Sequence, residues 1–94
     1  MKTKSRPQYY RVRRVLEMVR EGTQNGYLAN SSDFKEELGV SRRTVARDMD
    51  FLRDEENAPI EYDESRKGYL LTDGSYSLPP VRLSRKEVFS FSIA

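Results

Sequence analysis

Gly39-Val40-Ser41-Arg42-Arg43-Thr44-Val45-Ala46-Arg47-Asp48-Met49-Asp50-Phe51-Leu52-Arg53 reads as a sharp turn feeding a short helix with two opposed faces. Ser41 is a good N-cap, because its hydroxyl can accept from the orphan amides of a first helical turn. Gly39 can take the left-handed conformation that closes a preceding helix. At about 100° per residue, Val45, Met49 and Leu52 share one side of the helix, with Asp48 at its edge. Arg43 and Arg47 lie nearly opposite, flanked by Arg42 and Thr44. A helix that buries its aliphatic side therefore carries guanidinium groups outward from its N-terminal half, which is the form of a recognition helix over about 41–54.

Charge gives that helix a direction. Arg42, Arg43 and Arg47 occupy its first half, whereas Asp50, Asp54, Glu55 and Glu56 crowd its second half and exit. Phosphates attract the first half and repel the second, so the N-terminal end is the one expected in a DNA groove, the polarity with which helix-turn-helix domains dock. The competing reading is a solvated face, its arginines paired at helical spacing with Asp50 and Asp54. The Leu-Gly-Val-Ser turn directly in front favours the groove.

The rest of the chain sets limits on function. Ninety-four residues make one small domain with a modest core. The formal net charge is only +2, but its distribution is uneven. Residues 1–20 hold seven basic residues and one acidic, and residues 21–56 five basic against nine acidic. A basic leading segment on an acidic body suggests a local anionic partner. With no cysteine and no histidine, thiolate and imidazole metal sites, disulfides and the commonest general base are excluded, so no metal or other cofactor is expected. Without a nucleophile elbow or phosphate-cradling glycine loop, catalysis is not expected either. No apolar run approaches the roughly 20 residues needed to span a bilayer, and a cytoplasmic protein without membrane contact is expected.

Upstream, a basic arm (1–8) leads into a helical pattern opened by Ser5 and Pro7, with Val12, Val15, Leu16 and Val19 at i, i+3, i+4 and i+7. Gly22 supplies its predicted stop. Arg11 and Arg14 on its polar side are candidate phosphate contacts, with pairing to an acid such as Asp48 as the other option. Tyr9 and Tyr10 are expected to pack. After a turn-rich loop (22–30), Ser31 or Ser32 caps a short acidic helix, Asp33 to Leu38, with Phe34 and Leu38 inward.

Downstream of Pro59 the period falls from 3.6 to 2. Ile60-Glu61-Tyr62 and Tyr69-Leu70-Leu71 form two strands joined by the polar turn 63–68, a β-hairpin wing over 60–71 whose tip presents Arg66 and Lys67 to phosphate or a minor groove. The domain is placed at 9–74, followed by an extended linker (75–83) containing Pro79-Pro80. Ser84-Arg85-Lys86-Glu87 is a capping box before Val88, Phe89, Phe91 and Ile93. A helix starting at 84–94 without a stop signal points to a sequence that is the front end of a longer protein, this helix belonging to a dimerisation or effector region.

The order helix, loop, short helix, Leu38-Gly39-Val40-Ser41-Arg42-Arg43-Thr44-Val45-Ala46-Arg47-Asp48, a Pro-Ile-Glu-Tyr strand and Gly68-Tyr69 resembles the N-terminal winged helix-turn-helix domain of the DeoR-like bacterial regulators that carry a WYL domain. Ser77-Leu78-Pro79-Pro80 followed by Leu83-Ser84 and Glu87 extends the resemblance to about residues 9–94, while the polar approach from Tyr27 to Asp33 departs from it. The resemblance implies an α+β fold of three helices and a two-stranded wing. It further implies sequence-specific binding of double-stranded DNA by a transcriptional regulator, homodimeric at full length, with any effector held by a domain this chain lacks. Ser41, Arg42, Arg43, Thr44 and Arg47 would be its DNA-contacting set. The rival is a protein-interaction module that turns Glu36, Glu37, Asp50, Asp54 and Glu55 toward a basic partner.

Overall fold

A computed structural model describes residues 5–79. Its elements are α1 (Ser5–Asn25), α2 (Ser31–Leu38), α3 (Arg42–Asp50), a π-helical turn (Phe51–Glu55), β1 (Ile60–Asp63) and β2 (Gly68–Leu71). Residues 1–4 of the basic arm, the end of the linker from Pro80 and the helix expected at 84–94 lie outside the described residues.

The 3.6-residue stripe of α1 dictates the packing. Val12, Val15 and Val19 are completely buried and Leu16 nearly so, and they form one core with Phe34 of α2, Val45 and Met49 of α3, Leu52, Ile60 and Leu71. Three helices and an antiparallel hairpin thus enclose a single apolar centre, an α+β winged helix-turn-helix.

Gly22 does not stop α1, as its propensity suggests it should. The helix continues to Asn25 and ends at Gly26, whose φ of 88° lets its amide return to the Gly22 carbonyl at 2.9 Å. Gly22 is inside the helix for a steric reason. A Cβ built there would stand 2.7 Å from the Tyr27 carbonyl oxygen and 3.0 Å from the Ala29 amide nitrogen, because the chain doubles back across the helix at that point. Replacing Gly22 by alanine is therefore expected to lower stability by about 1–3 kcal/mol through overpacking against backbone, although alanine is favoured over glycine in a helix by about 1 kcal/mol. Thermal unfolding of the variant checks the sign, and a raised melting temperature would refute the close approach.

The cap of α2 is Asn30 rather than Ser31 or Ser32. Its side-chain oxygen accepts from the Asp33 amide at 3.0 Å, and the Asp33 carboxylate accepts from the Asn30 amide at 2.9 Å, a reciprocal capping box. The helix accordingly begins at Ser31, earlier than its acidic residues suggest. Phe34 is buried and Leu38 half-buried, as expected. Gly39, at φ 64° and ψ 34°, closes α2 in the left-handed conformation and donates its amide to the Lys35 carbonyl.

β1 and β2 pair antiparallel, with Ile60 opposite Leu71 and Tyr62 opposite Tyr69. Sequence periodicity shows only these two strands, yet Ala29 forms a single bridge to Tyr69, so β2 lies between β1 and the loop that leads into α2. The Thr23 hydroxyl donates to the Val19 carbonyl and accepts from the Leu71 amide, which ties the sheet to α1.

Beyond β2 the chain turns at Asp73, whose carbonyl accepts from the Tyr76 amide at 3.1 Å, and it is anchored to the helices. Arg20 donates to the carbonyls of Gly74 and Tyr76 at 2.9 and 2.8 Å. The Tyr76 hydroxyl donates to the Glu56 carbonyl and the Tyr9 hydroxyl to that of Pro79. Tyr9 thus packs as expected, whereas Tyr10 is 71% exposed.

Candidate nucleic-acid interface

The helix expected to read DNA is built from its first turn outward. Ser41 is extended at φ −74° and ψ 162°, and its hydroxyl oxygen accepts from the Thr44 amide at 3.2 Å while donating to the Thr44 hydroxyl. The amides of Arg42 and Arg43 belong to that same turn and have no acceptor within the helix, so they stand ready for an anion. Val45 and Met49 are buried, and Arg42, Arg43, Ala46 and Arg47 are exposed. Among the described residues, none of these three arginines enters an ion pair. The solvated pairing with Asp50 and Asp54 therefore does not occur, and three cations project from one end of α3.

Below Asp50 the backbone changes from α to π, so the recognition helix expected over 41–54 is regular only over Arg42–Asp50. The Glu56 amide reaches back to the Phe51 carbonyl. This wider turn keeps Leu52 buried while Arg53, Asp54 and Glu55 face solvent. Asn57, in the left-handed region at φ 54°, then ends it, a conformation that asparagine tolerates.

Asp48 belongs to the other side of α3. Placed by periodicity at the edge of the apolar face, it is instead 1% exposed. Its carboxylate accepts two hydrogen bonds from Arg11 of α1, from Nε at 2.7 Å and from Nη2 at 3.1 Å. A carboxylate taken out of water needs a partner of this kind. The bonds to Asp48 also hold the Arg11 guanidinium more firmly protonated than usual. Arg14 donates to Glu37 of α2 at 3.0 Å and to Glu17 at 3.3 Å, and its pKa is likewise raised, first by the bond to Glu37. Both candidate phosphate contacts on α1 are thus placed on carboxylates of the chain itself. Arg13 lies over the ring of Tyr9 with 5.9 Å to its centroid.

At the wing tip Asp63 organises the turn. It accepts from the Ser65 amide and hydroxyl and from the Arg66 amide and Nε, all within 3.0 Å. These bonds, the Ser65 hydroxyl foremost, lower its pKa to about 2. A depressed carboxylate pKa means that the charge, and the turn it holds, persists above the ordinary carboxylate range and is lost only as pH falls toward 2. Arg66 is consequently drawn back onto Asp63. Lys67, in the left-handed region at φ 56°, is exposed and outside every ion pair among the described residues. Of the two tip cations it is the unneutralised one.

An open cleft of about 500 Å³ is lined by α1, α2 and the loop between them, including Arg14, Glu21, Asp33, Glu36 and Glu37. Its acidity makes it a poor seat for phosphate. No described helix is long and apolar enough to cross a membrane.

The structure therefore groups Ser41, Arg42, Arg43, Thr44 and Arg47 on one exposed helix end, sets Arg66 and Lys67 at the wing tip and withdraws Arg11 and Arg14 into intramolecular pairs. Pairing with an acid such as Asp48, one of the two roles the sequence leaves open for these arginines, is the one Arg11 takes, whereas Glu37, the partner of Arg14 from another helix, is not marked in the sequence. A family model described as HTH domain matches residues 11–70, which runs from Arg11 in α1 to Leu70 in β2. No curated protein matches the chain, and no solved structure does.

Proposed function

From the premise that this chain belongs to the HTH domain family, a DNA-binding fold, we infer that it is the DNA-reading part of a sequence-specific transcriptional regulator. One observation carries the reading: the N-terminal half of α3 presents three guanidinium groups outside every ion pair among the described residues, while the opposite face of the same helix is buried in the core. Arg43 and Arg47, four residues apart and so on one face, suit bidentate donation to guanine O6 and N7 in a major groove. Arg42, the free first-turn amides and the Thr44 hydroxyl suit phosphates beside it.

The finer assignment is to the DeoR-like regulators with a WYL domain, supported by the Ser77-Leu78-Pro79-Pro80 passage and the capping box at Ser84. On that assignment the full-length regulator is a cytoplasmic homodimer, and its effector is sensed by a downstream domain. One domain of this size reads a single half-site, and two copies spaced by about one helical turn or a multiple of it read a palindrome.

Selection from a random double-stranded DNA pool tests the reading. A recovered consensus is the expected outcome. No retention of any DNA even at low salt would favour the rival, an interaction module that turns Glu36, Glu37, Asp50, Asp54 and Glu55 toward a basic partner.

The wing supplies a separate check. Lys67→Ala is expected to reduce the slope of log affinity against log salt by about 0.9, the value for one phosphate contact. Arg66→Ala should reduce it less, because Asp63 already neutralises Arg66. Anisotropy titrations over a range of potassium chloride measure both slopes. Two unchanged slopes would take the wing off the DNA.

A further inference from the structure

Resting on the DNA-binding reading, we propose that the Arg11–Asp48 pair is a positioning device that fixes the rotation of α3 about its own axis and so determines base specificity. Among the described residues Asp48 is the one charged side chain that is fully buried. It sits on the core-facing side of α3, in helical register with Val45, Met49 and Leu52, immediately beside Arg47 in sequence. Its partner is on another helix, and the contact uses both carboxylate oxygens and two guanidinium nitrogens, Nε to Oδ2 at 2.7 Å and Nη2 to Oδ1 at 3.1 Å.

Apolar packing alone does not fix that rotation. The contacts of Val45, Met49 and Leu52 are non-directional, so they define the azimuth of α3 less sharply than a directional bond does. An arginine tip reaches on the order of 9 Å from the helix axis, given a backbone radius of about 2.3 Å. A 20° rotation therefore carries it about 3 Å sideways, as far as a whole hydrogen bond is long. A two-pronged Arg–carboxylate contact is planar and tolerates little rotation. Anchored to α1, it holds Arg43 and Arg47 on a fixed azimuth while leaving stability mainly to the apolar side chains.

This separates specificity from stability, since a buried ion pair can often be exchanged for apolar residues of similar total volume without loss of fold. The test is the double variant Arg11→Met with Asp48→Val, beside the near-isosteric Asp48→Asn in case the first repacks poorly. Three quantities are measured: the melting temperature, the ratio of affinities for a selected site and a scrambled one, and residual dipolar couplings of the α3 amides relative to those of α1. The expected result is a folded double variant whose specificity ratio falls at least tenfold and whose α3 couplings no longer fit the wild-type orientation. Asp48→Asn, which keeps one hydrogen bond and loses the charge, should fall between the two.

A ratio unchanged in folded variants overturns the proposal, including the case where both affinities drop together, which would make Arg11 a phosphate contact instead. The couplings need no DNA. If the wild-type chain shows no sequence preference, the regulator reading fails by itself, and the orientation of α3 in the variants still decides whether the pair sets its azimuth.

Discussion

With Arg43 and Arg47 both replaced by alanine, the chain is expected to lose nearly all preference for its cognate DNA while keeping its melting curve. A well-placed arginine on a base edge contributes about 1–3 kcal/mol of discrimination. Two therefore account for about 2–6 kcal/mol, or roughly 30-fold to more than 10⁴-fold, at about 1.4 kcal/mol per factor of ten. Their spacing of four residues makes coupling between them expected, so the double loss need not equal the sum of the single ones. Stability is the control. Both side chains are exposed and outside every ion pair among the described residues, and surface replacements of that kind stay within about 0.5 kcal/mol. Equal losses on cognate and scrambled DNA would move the two arginines to the phosphate backbone, and a collapsed melting curve would show that α3 depends on them structurally.

Phe34→Ala should produce the second large effect, on folding. The ring of Phe34 is fully buried and meets Tyr69 of β2 at a centroid distance of 5.8 Å with the planes tilted by 44°. It thus joins the short α2 to the sheet as well as to the core. Truncating a buried phenylalanine costs about 3–5 kcal/mol through lost transfer energy and the cavity left behind. A domain of this length holds only about 4–11 kcal/mol in total, at roughly 0.05–0.15 kcal/mol per residue. The variant is therefore expected to be partly or wholly unfolded at 37 °C, with DNA binding lost as a consequence. Chemical denaturation at 10 °C measures the deficit, and a loss of less than about 1 kcal/mol in unfolding free energy would mean that neighbouring side chains refill the space.

Local chemistry made much of this fold legible in advance. Gly39 and Ser41 act within one turn of themselves, so the hinge between α2 and α3 follows from residue type alone, and the periodic valines of α1 mark their own inner face. Gly22 misled because its role is an approach by Tyr27 and Ala29, which no propensity encodes. Asn30 displaced the serines as a cap because Asp33 completes a reciprocal box with it, a preference decided by geometry among several acceptable residues. The single bridge of Ala29 to Tyr69 in the sheet joins residues distant in the chain, and no periodicity marks the change to a π-helical turn after Asp50. The same holds for the candidate site. That Arg43 and Arg47 share a face is a matter of helical spacing, whereas the choice for Arg11 between phosphate and an acid such as Asp48, both open in the sequence, and the partner of Arg14 are decided by which carboxylates the fold brings within 3 Å.

Asp50, Asp54 and Glu55 follow the arginines of α3 with opposite sign, and all three are exposed. A rod with cations at its head and anions at its tail feels a torque near a polyanion before any atoms touch. An encounter with DNA is therefore expected to favour head-first arrival, with fewer collisions wasted on a backward pose. Because that torque reaches only about 8 Å at physiological ionic strength, added electrolyte should slow productive association more steeply than it weakens the docked state.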